Sequence, residues 1–275
     1  METKIIDYIT VKLKEYAEIP SVTGNETVFL ERLNREFITH EGMSRRTVTN
    51  DGKGYYSLLK CGNGPDLVFC VHTDRVPDPK TNEPYKNKIK QNGEFITGQL
   101  DNIISIAVMS YLNSIGLKFN ILFTTSEEIC FSYPQIDEVM QLYGMVPVSV
   151  DIDVYSQETD ISSGYITIRN KSFSREYDQE TVRLLRKAAE ENDIPVNNDS
   201  GLSHDEVFHL MRAVPGRNGA HLGLPIYNYH TNREAVSVKA VLNMISLLKA
   251  VIEKNEVETE EEPSALLSPV SDNYK

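Results

Sequence analysis

Apolar side chains recur three or four positions apart over Ile5 to Tyr16 and over Glu26 to Phe37, so each segment presents one apolar stripe and predicts a helix packed by that face. Tyr55 to Leu59, Asp66 to Val71, Asn120 to Thr125 and Pro147 to Asp151 are short, strongly apolar runs. Their length is that of strands buried on both faces. Helical spacing returns over Asn102 to Ile115 and Gln135 to Tyr143. The last third predicts a strand at Tyr165 to Arg169, helices at Glu180 to Asn192 and Asp205 to Arg212, a strand near Leu224 to Tyr229, and a helix from Val236 to Glu253. Alternation of this kind implies an α/β fold of three layers, α/β/α, with a mainly parallel central sheet.

The 275 residues can bury one sizeable core. Residues 1–253 are expected to form a catalytic domain and residues 254–275 an acidic tail, because Glu256 to Glu262, Pro263 and the Ala265-Leu-Leu-Ser-Pro269 patch are together too polar to fold alone. No internal repeat is evident. The three cysteines, Cys61, Cys70 and Cys130, are odd in number and sit in mostly apolar, strand-like surroundings, which favours reduced thiols. No run is long enough to span a bilayer and no signal-peptide pattern opens the chain, so a cytoplasmic location is expected. With a net charge of -12, neither nucleic acid nor an anionic membrane is an expected partner, since phosphate binding needs clustered cations.

Candidate chemistry lies at the ends of the predicted strands, where open α/β sheets place their sites. The residues are His72 and Asp74, Asp101, Glu127 and Glu128, Asp151, and His230. Imidazole nitrogen and carboxylate oxygen are zinc ligands. Two ions about 3.5 to 4 Å apart need a bridging carboxylate, and a carboxylate left outside the ligand set can act as a general base. Taken singly, each element has a plainer reading: a surface pair at His72 and Asp74, a solvated face at Glu127 and Glu128, an N-cap at Asp101. Five such elements in order point instead to metal-assisted hydrolysis.

The order and local wording resemble the di-zinc exopeptidase superfamily of tetrahedral aminopeptidases, tripeptidases, aminoacylases and leucyl aminopeptidases. The likeness runs through Ile19-Pro-Ser-Val-Thr-Gly-Asn-Glu26, Val71-His-Thr-Asp-Arg-Val-Pro77, Asp101-Asn-Ile-Ile-Ser-Ile-Ala107, Thr125-Ser-Glu-Glu128, Ser149-Val-Asp-Ile152 and Leu224-Pro-Ile-Tyr-Asn-Tyr-His-Thr231 with Glu234. It implies a zinc-exopeptidase-like catalytic domain holding two divalent ions, zinc first, with cobalt or manganese as substitutes. His72 and Asp151 would bind one ion, Glu128 and His230 the other, and Asp101 would bridge them. Glu127 would be the general base. Asp74 would accept a hydrogen bond from the far nitrogen of His72 and fix its tautomer. Asp153, two residues beyond Asp151, would share its strand face, but the family context favours Asp151.

The likeness also has gaps. Neither Arg75 to Leu100 nor Asp151 to His230 is long enough for the inserted domains of the larger relatives, so the chain is expected to lack a lid or dimerisation domain. Ile129-Cys130-Phe131 stands where relatives carry a small residue and could narrow the pocket. Asp205, in Gly201-Leu-Ser-His-Asp205, could meet a peptide amine or cap a helix; His204 could line the cleft. His40, His209 and His221 carry no motif. The expected activity is that of an aminopeptidase on short peptides. An N-acyl amino acid deacylase, for which Arg75, Arg217 or Arg233 would supply a carboxylate site, and a non-catalytic binding protein are the alternatives.

Overall fold

The predicted alternation is present, gathered on one mixed sheet, with Lys171–Ser172 and Arg175–Glu176 forming a separate two-stranded ladder. The computed structural model describes residues 2–37, 43–48, 54–61, 67–82, 85–86, 88–155, 161–197 and 204–260. Helices α1 (Glu2–Ala17) and α2 (Thr27–Glu36) precede strands β1 (Met43–Val48), β2 (Tyr56–Cys61) and β3 (Leu67–His72). A short hairpin of β4 (Lys90–Asn92) and β5 (Phe95–Gly98) leads to α3 (Ile103–Ser114), β6 (Asn120–Thr124), α4 (Tyr133–Tyr143) and β7 (Val146–Val154). Then follow β8 (Ile166–Ile168), β9 (Lys171–Ser172), β10 (Arg175–Glu176), α5 (Gln179–Glu191), β11 (Val196–Asn197), α6 (Glu206–Ala213), β12 (Ala220–Tyr227), β13 (Glu234–Ser237) and α7 (Val238–Glu260).

The strand order is β1-β2-β6-β3-β7-β12-β13-β5-β4, with β8 beside β12 and β11 beside β8. The central strands β6, β3, β7 and β12 run parallel, and antiparallel strands close both flanks. The flanking strands β1, β4, β5 and β13 escape a reading of hydrophobic runs. β1 alternates half-buried with exposed positions, and β4 is exposed throughout.

Side-chain alternation explains where the site sits. On β3, Leu67, Phe69 and Val71 join the large apolar cluster, as do Ile121 and Phe123 of β6 and Val148, Val150 and Ile152 of β7. That cluster also takes residues of α1, α2, α3, α5 and α7. Helix α3 is buried on nearly every side, as its almost unbroken apolar sequence demands. The intervening residues point to the other face. There Val68, Cys70 and Leu122 meet Ile136 and Val139 of α4 and Leu210 of α6. His72, Thr124, Asp151, Asp153 and His221 continue this second face, so the polar centre is built on the side covered by α4 and α6.

Helix α7 runs to Glu260, past the Glu253 limit expected from apolar spacing. Glu and Lys are good helix formers, so loss of the apolar stripe does not end it. Residues 261–275, including the Ala265 to Pro269 patch, lie outside the described residues. No helix among the described residues is long and apolar enough to cross a membrane.

Candidate metal centre

Asp101 lies between two imidazoles. Its Oδ1 is 3.1 Å from His72 Nε2 and its Oδ2 is 3.5 Å from His230 Nε2. His72 Nε2 also stands 3.4 Å from Asp151 Oδ1, and His230 Nε2 stands 3.0 Å from Glu128 Oε2. The five expected ligands are thus brought together, in two groups that share Asp101. Donor atoms of His72, Asp101 and Glu128 all lie within 4.8 Å of one another.

Four of these candidate ligands, His72, Asp101, Glu128 and His230, have an evident support. His72 ends β3, and its Nδ1 faces the backbone carbonyl of Asp74 at 3.0 Å. That carbonyl leaves Nε2 as the nitrogen turned to the carboxylates. The Asp74 carboxylate also stands beside Nδ1, its Oδ1 3.5 Å away, and its oxygens accept the backbone N–H groups of Glu127 at 3.0 Å and Glu128 at 3.1 Å. Thr23 donates to the same carboxylate at 2.9 Å. Glu234 does similar work for the other group, accepting the N–H of Asp101 at 3.0 Å and of His230 at 2.8 Å. Asp101 precedes α3, and the peptide bond joining it to Asn102 is cis.

Glu127 and Glu128 do not sit on a strand end. They open a single 3-10 turn, Glu127–Ile129, flanked by Ser126 and Cys130, both in the left-handed region with φ of 63° and 61°. Such residues are uncommon outside glycine and concentrate at functional sites. The turn separates the two side chains: Glu128 joins His230, while Glu127 Oε1 faces His209 Nε2 at 3.7 Å. The N-terminal segment braces this turn, since Glu26 Oε1 accepts the Ser126 N–H at 3.2 Å.

Asp153 belongs to a different network. Both Arg169 and His221 turn to its carboxylate, and all three are fully buried. Gly223 lies against this group, where a Cβ would collide with the Asp153 carboxylate. Asp151 is therefore the member of the pair that faces His72. Asp205 caps α6 by accepting the Val207 and Phe208 N–H groups at 3.0 Å each, and Tyr177 donates to its other oxygen. The capping alternative is the observed one. Residues 201–203 of that motif lie outside the described residues, as does His40. Ile129 and Phe131 are largely exposed and His204 stacks on Phe208.

Electrostatics distinguish the members. Burial raises the Glu127 carboxyl well above the carboxylate range, reinforced by Asp151, Glu128 and Asp74 against an opposing effect of His72. Burial and Asp101 push Glu128 to about 7. Burial would also raise Asp101, but hydrogen bonds from His230 and His72 outweigh it and bring the group to about 2. Burial opposes a charged His230, yet Asp101 and Glu128 carry it to about 10. Four carboxylates thus crowd two imidazoles in a largely buried space. Glu127 Oε1 and Glu128 Oε1 are buried without a hydrogen-bond partner among the described residues. Unpaired polar atoms of this kind are costly, and divalent cations would supply the missing partners, so the donor set fits metal.

The three arginines considered for a substrate carboxylate separate clearly. Arg75 is buried and donates to Ser21 Oγ and the Ile19 carbonyl, so it is committed to the N-terminal segment. Arg217 pairs with Asp137 at 2.6 Å. Arg233, in the turn that carries His230, lines a cavity of about 310 Å³ with Lys86, Lys88, Lys90, Thr97 and Asn232.

Comparison with solved structures yields one consistent architecture. An aminopeptidase from the archaeon Desulfurococcus kamchatkensis superposes with a TM-score of 0.69 at 11% identity, over 97% of this chain and 99% of that one. The Pyrococcus horikoshii TET1 peptidase, which can assemble into a tetrahedron or a large octahedral shell, gives 0.66 at 14% identity over 89% and 99%. The chain has the fold of these peptidases. An endoglucanase from Thermotoga maritima gives 0.62 at 13% identity over 90% and 98%. No protein-family model and no curated protein matches the sequence. Activity must therefore be argued from the site.

Proposed function

We propose that this chain is a metal-dependent exopeptidase, an aminopeptidase acting on short peptides through two divalent ions, zinc in the first instance and cobalt or manganese as substitutes. The observation that carries the reading is the division of the Asp101 carboxylate between His72 and His230. His72 and Asp151 would hold one ion, Glu128 and His230 the other, and Asp101 both. Ions bound there supply an activated water and a polarised scissile carbonyl. Glu127, the buried carboxylate outside this set, takes a proton from the attacking water and returns it to the leaving amine. Asp74 and Thr23 hold the Glu turn in register, and Glu234 holds Asp101 and His230.

Two neighbours of the same fold bear peptidase names, which supports this reading over a binding protein. The free thiols of buried Cys70 and exposed Cys130 support a reducing, cytoplasmic setting. The cations around Arg233 favour a substrate that keeps a free carboxylate, which keeps N-acyl amino acids in the test panel. The test is zinc stoichiometry by plasma mass spectrometry, with hydrolysis of dipeptides, tripeptides and N-acyl amino acids measured before and after chelation. Two ions per chain and chelator-sensitive release of N-terminal residues are expected; one ion at saturation, or an inert loaded protein, overturns the reading.

A further inference from the structure

A general base works only while one carboxylate oxygen stays turned to the water, so the base itself needs an orienting partner. Glu127 Oε1 has no hydrogen-bond partner among the described residues. The imidazole that faces it is His209, with Nε2 at 3.7 Å. The separation exceeds a formed hydrogen bond, but catalytic contacts are often long before a site is loaded and tighten afterwards.

His209 is itself held in place. It is 4% exposed, and its helix α6 is anchored by the Asp205 cap. Its ring stands at 64° to those of His204 and Phe208, with centroids 5.7 Å away in each case. Phe173 packs on both of those rings and completes an aromatic wall. His209's helix neighbours Val207, Phe208, Leu210 and Met211 are buried. An imidazole among them costs desolvation that a phenyl ring would avoid, so packing alone gives no reason for histidine.

We propose that His209 is a positioning residue for Glu127: a proton held between its Nε2 and Glu127 Oε1 fixes the carboxylate with Oε2 turned to the water. This rests on the reading of Glu127 as the base of an aminopeptidase.

The deciding variants are His209→Gln and His209→Phe. Glutamine returns an amide nitrogen near the place of Nε2, whereas phenylalanine keeps the ring and its packing. Positioning predicts that the Phe variant loses about 10- to 100-fold in kcat, with KM and zinc content unchanged and Tm not lowered, and that the Gln variant recovers most of the rate. A packing role predicts the reverse order and would overturn the proposal. In a Glu127→Gln background, His209→Phe should cost nothing further, since coupled residues are not additive. A zinc-loaded crystal structure should bring Nε2 and Oε1 within about 3.2 Å; a gap that stays open, or an Oε1 bound elsewhere, refutes the contact. That structural readout is independent of turnover, so a wild type inert toward peptides would remove the aminopeptidase reading while the His209 contact is judged on its own.

Discussion

Asp74 grips Glu128 by its backbone: the carboxylate Oδ2 accepts the Glu128 N–H at 3.1 Å, while Oδ1 takes that of Glu127 at 3.0 Å. An asparagine at this position can accept only one of these bonds, because its amide nitrogen would meet the second N–H donor to donor. Asp74→Asn should therefore retain zinc and lower kcat by about 10- to 100-fold, the usual effect of losing support behind a metal site. Zinc content and steady-state kinetics check this, and an unchanged kcat would show that the Glu turn keeps its shape without Asp74.

The two members of that turn should separate by phenotype. Glu127→Gln keeps size and polarity but cannot take the water proton, so the rate should fall by about 10² to 10⁴ with both ions bound. Glu128→Gln should lose the ion shared with His230 first, and activity as a consequence. Calorimetric zinc titration of the two variants distinguishes them; metal loss from the Glu127 variant alone would exchange the roles.

The central strands and the five ligand candidates were legible because both rest on local order. Apolar runs marked β3, β6 and β7, and the ligands lie in or just beyond such runs. The flanking strands were not legible, since Lys90–Asn92 has nothing apolar to signal a ladder that is held by its β5 partner. His209 escapes a reading of the sequence for a related reason. A histidine inside Val207 to Met211 shows its burial only once the helix is docked, and its partner Glu127 lies far away in the chain. The role of Asp74 was half legible: its nearness to His72 follows from the spacing, but the turn that brings two N–H groups onto its carboxylate depends on Ser126 and Cys130 adopting positive φ.

Glu206 should give the metal-free protein a pH-dependent stability. Its carboxyl is fully buried and accepts a hydrogen bond from Thr124, and burial drives it to about 8 despite opposition from His72 and that bond. A carboxyl with a raised folded pKa binds more protons folded than unfolded between about 4.5 and 8. Its stabilisation is complete below that window and is lost as pH rises through it. Glu206→Gln has no proton to lose, so the Tm advantage of the variant over wild type should grow from pH 5 to pH 8 in chelator. A constant difference across that range would mean Glu206 does not titrate there.

Arg233 should matter for how a peptide is held rather than for its cleavage. It shares its cavity with Lys86, Lys88 and Lys90, beside the turn bearing His230, so the carboxylate of a short peptide is the expected occupant. Exposed ion pairs contribute about 1 kcal/mol or less, which limits the effect to about a five-fold change in affinity. Arg233→Ala should raise KM for a tripeptide by about two- to five-fold, leave kcat intact, and make no difference for the same tripeptide with an amidated C-terminus. Added salt should shrink the wild-type preference for the free acid in the same way. Equal KM changes for acid and amide would remove the carboxylate from the account and leave Arg233 as a surface cation.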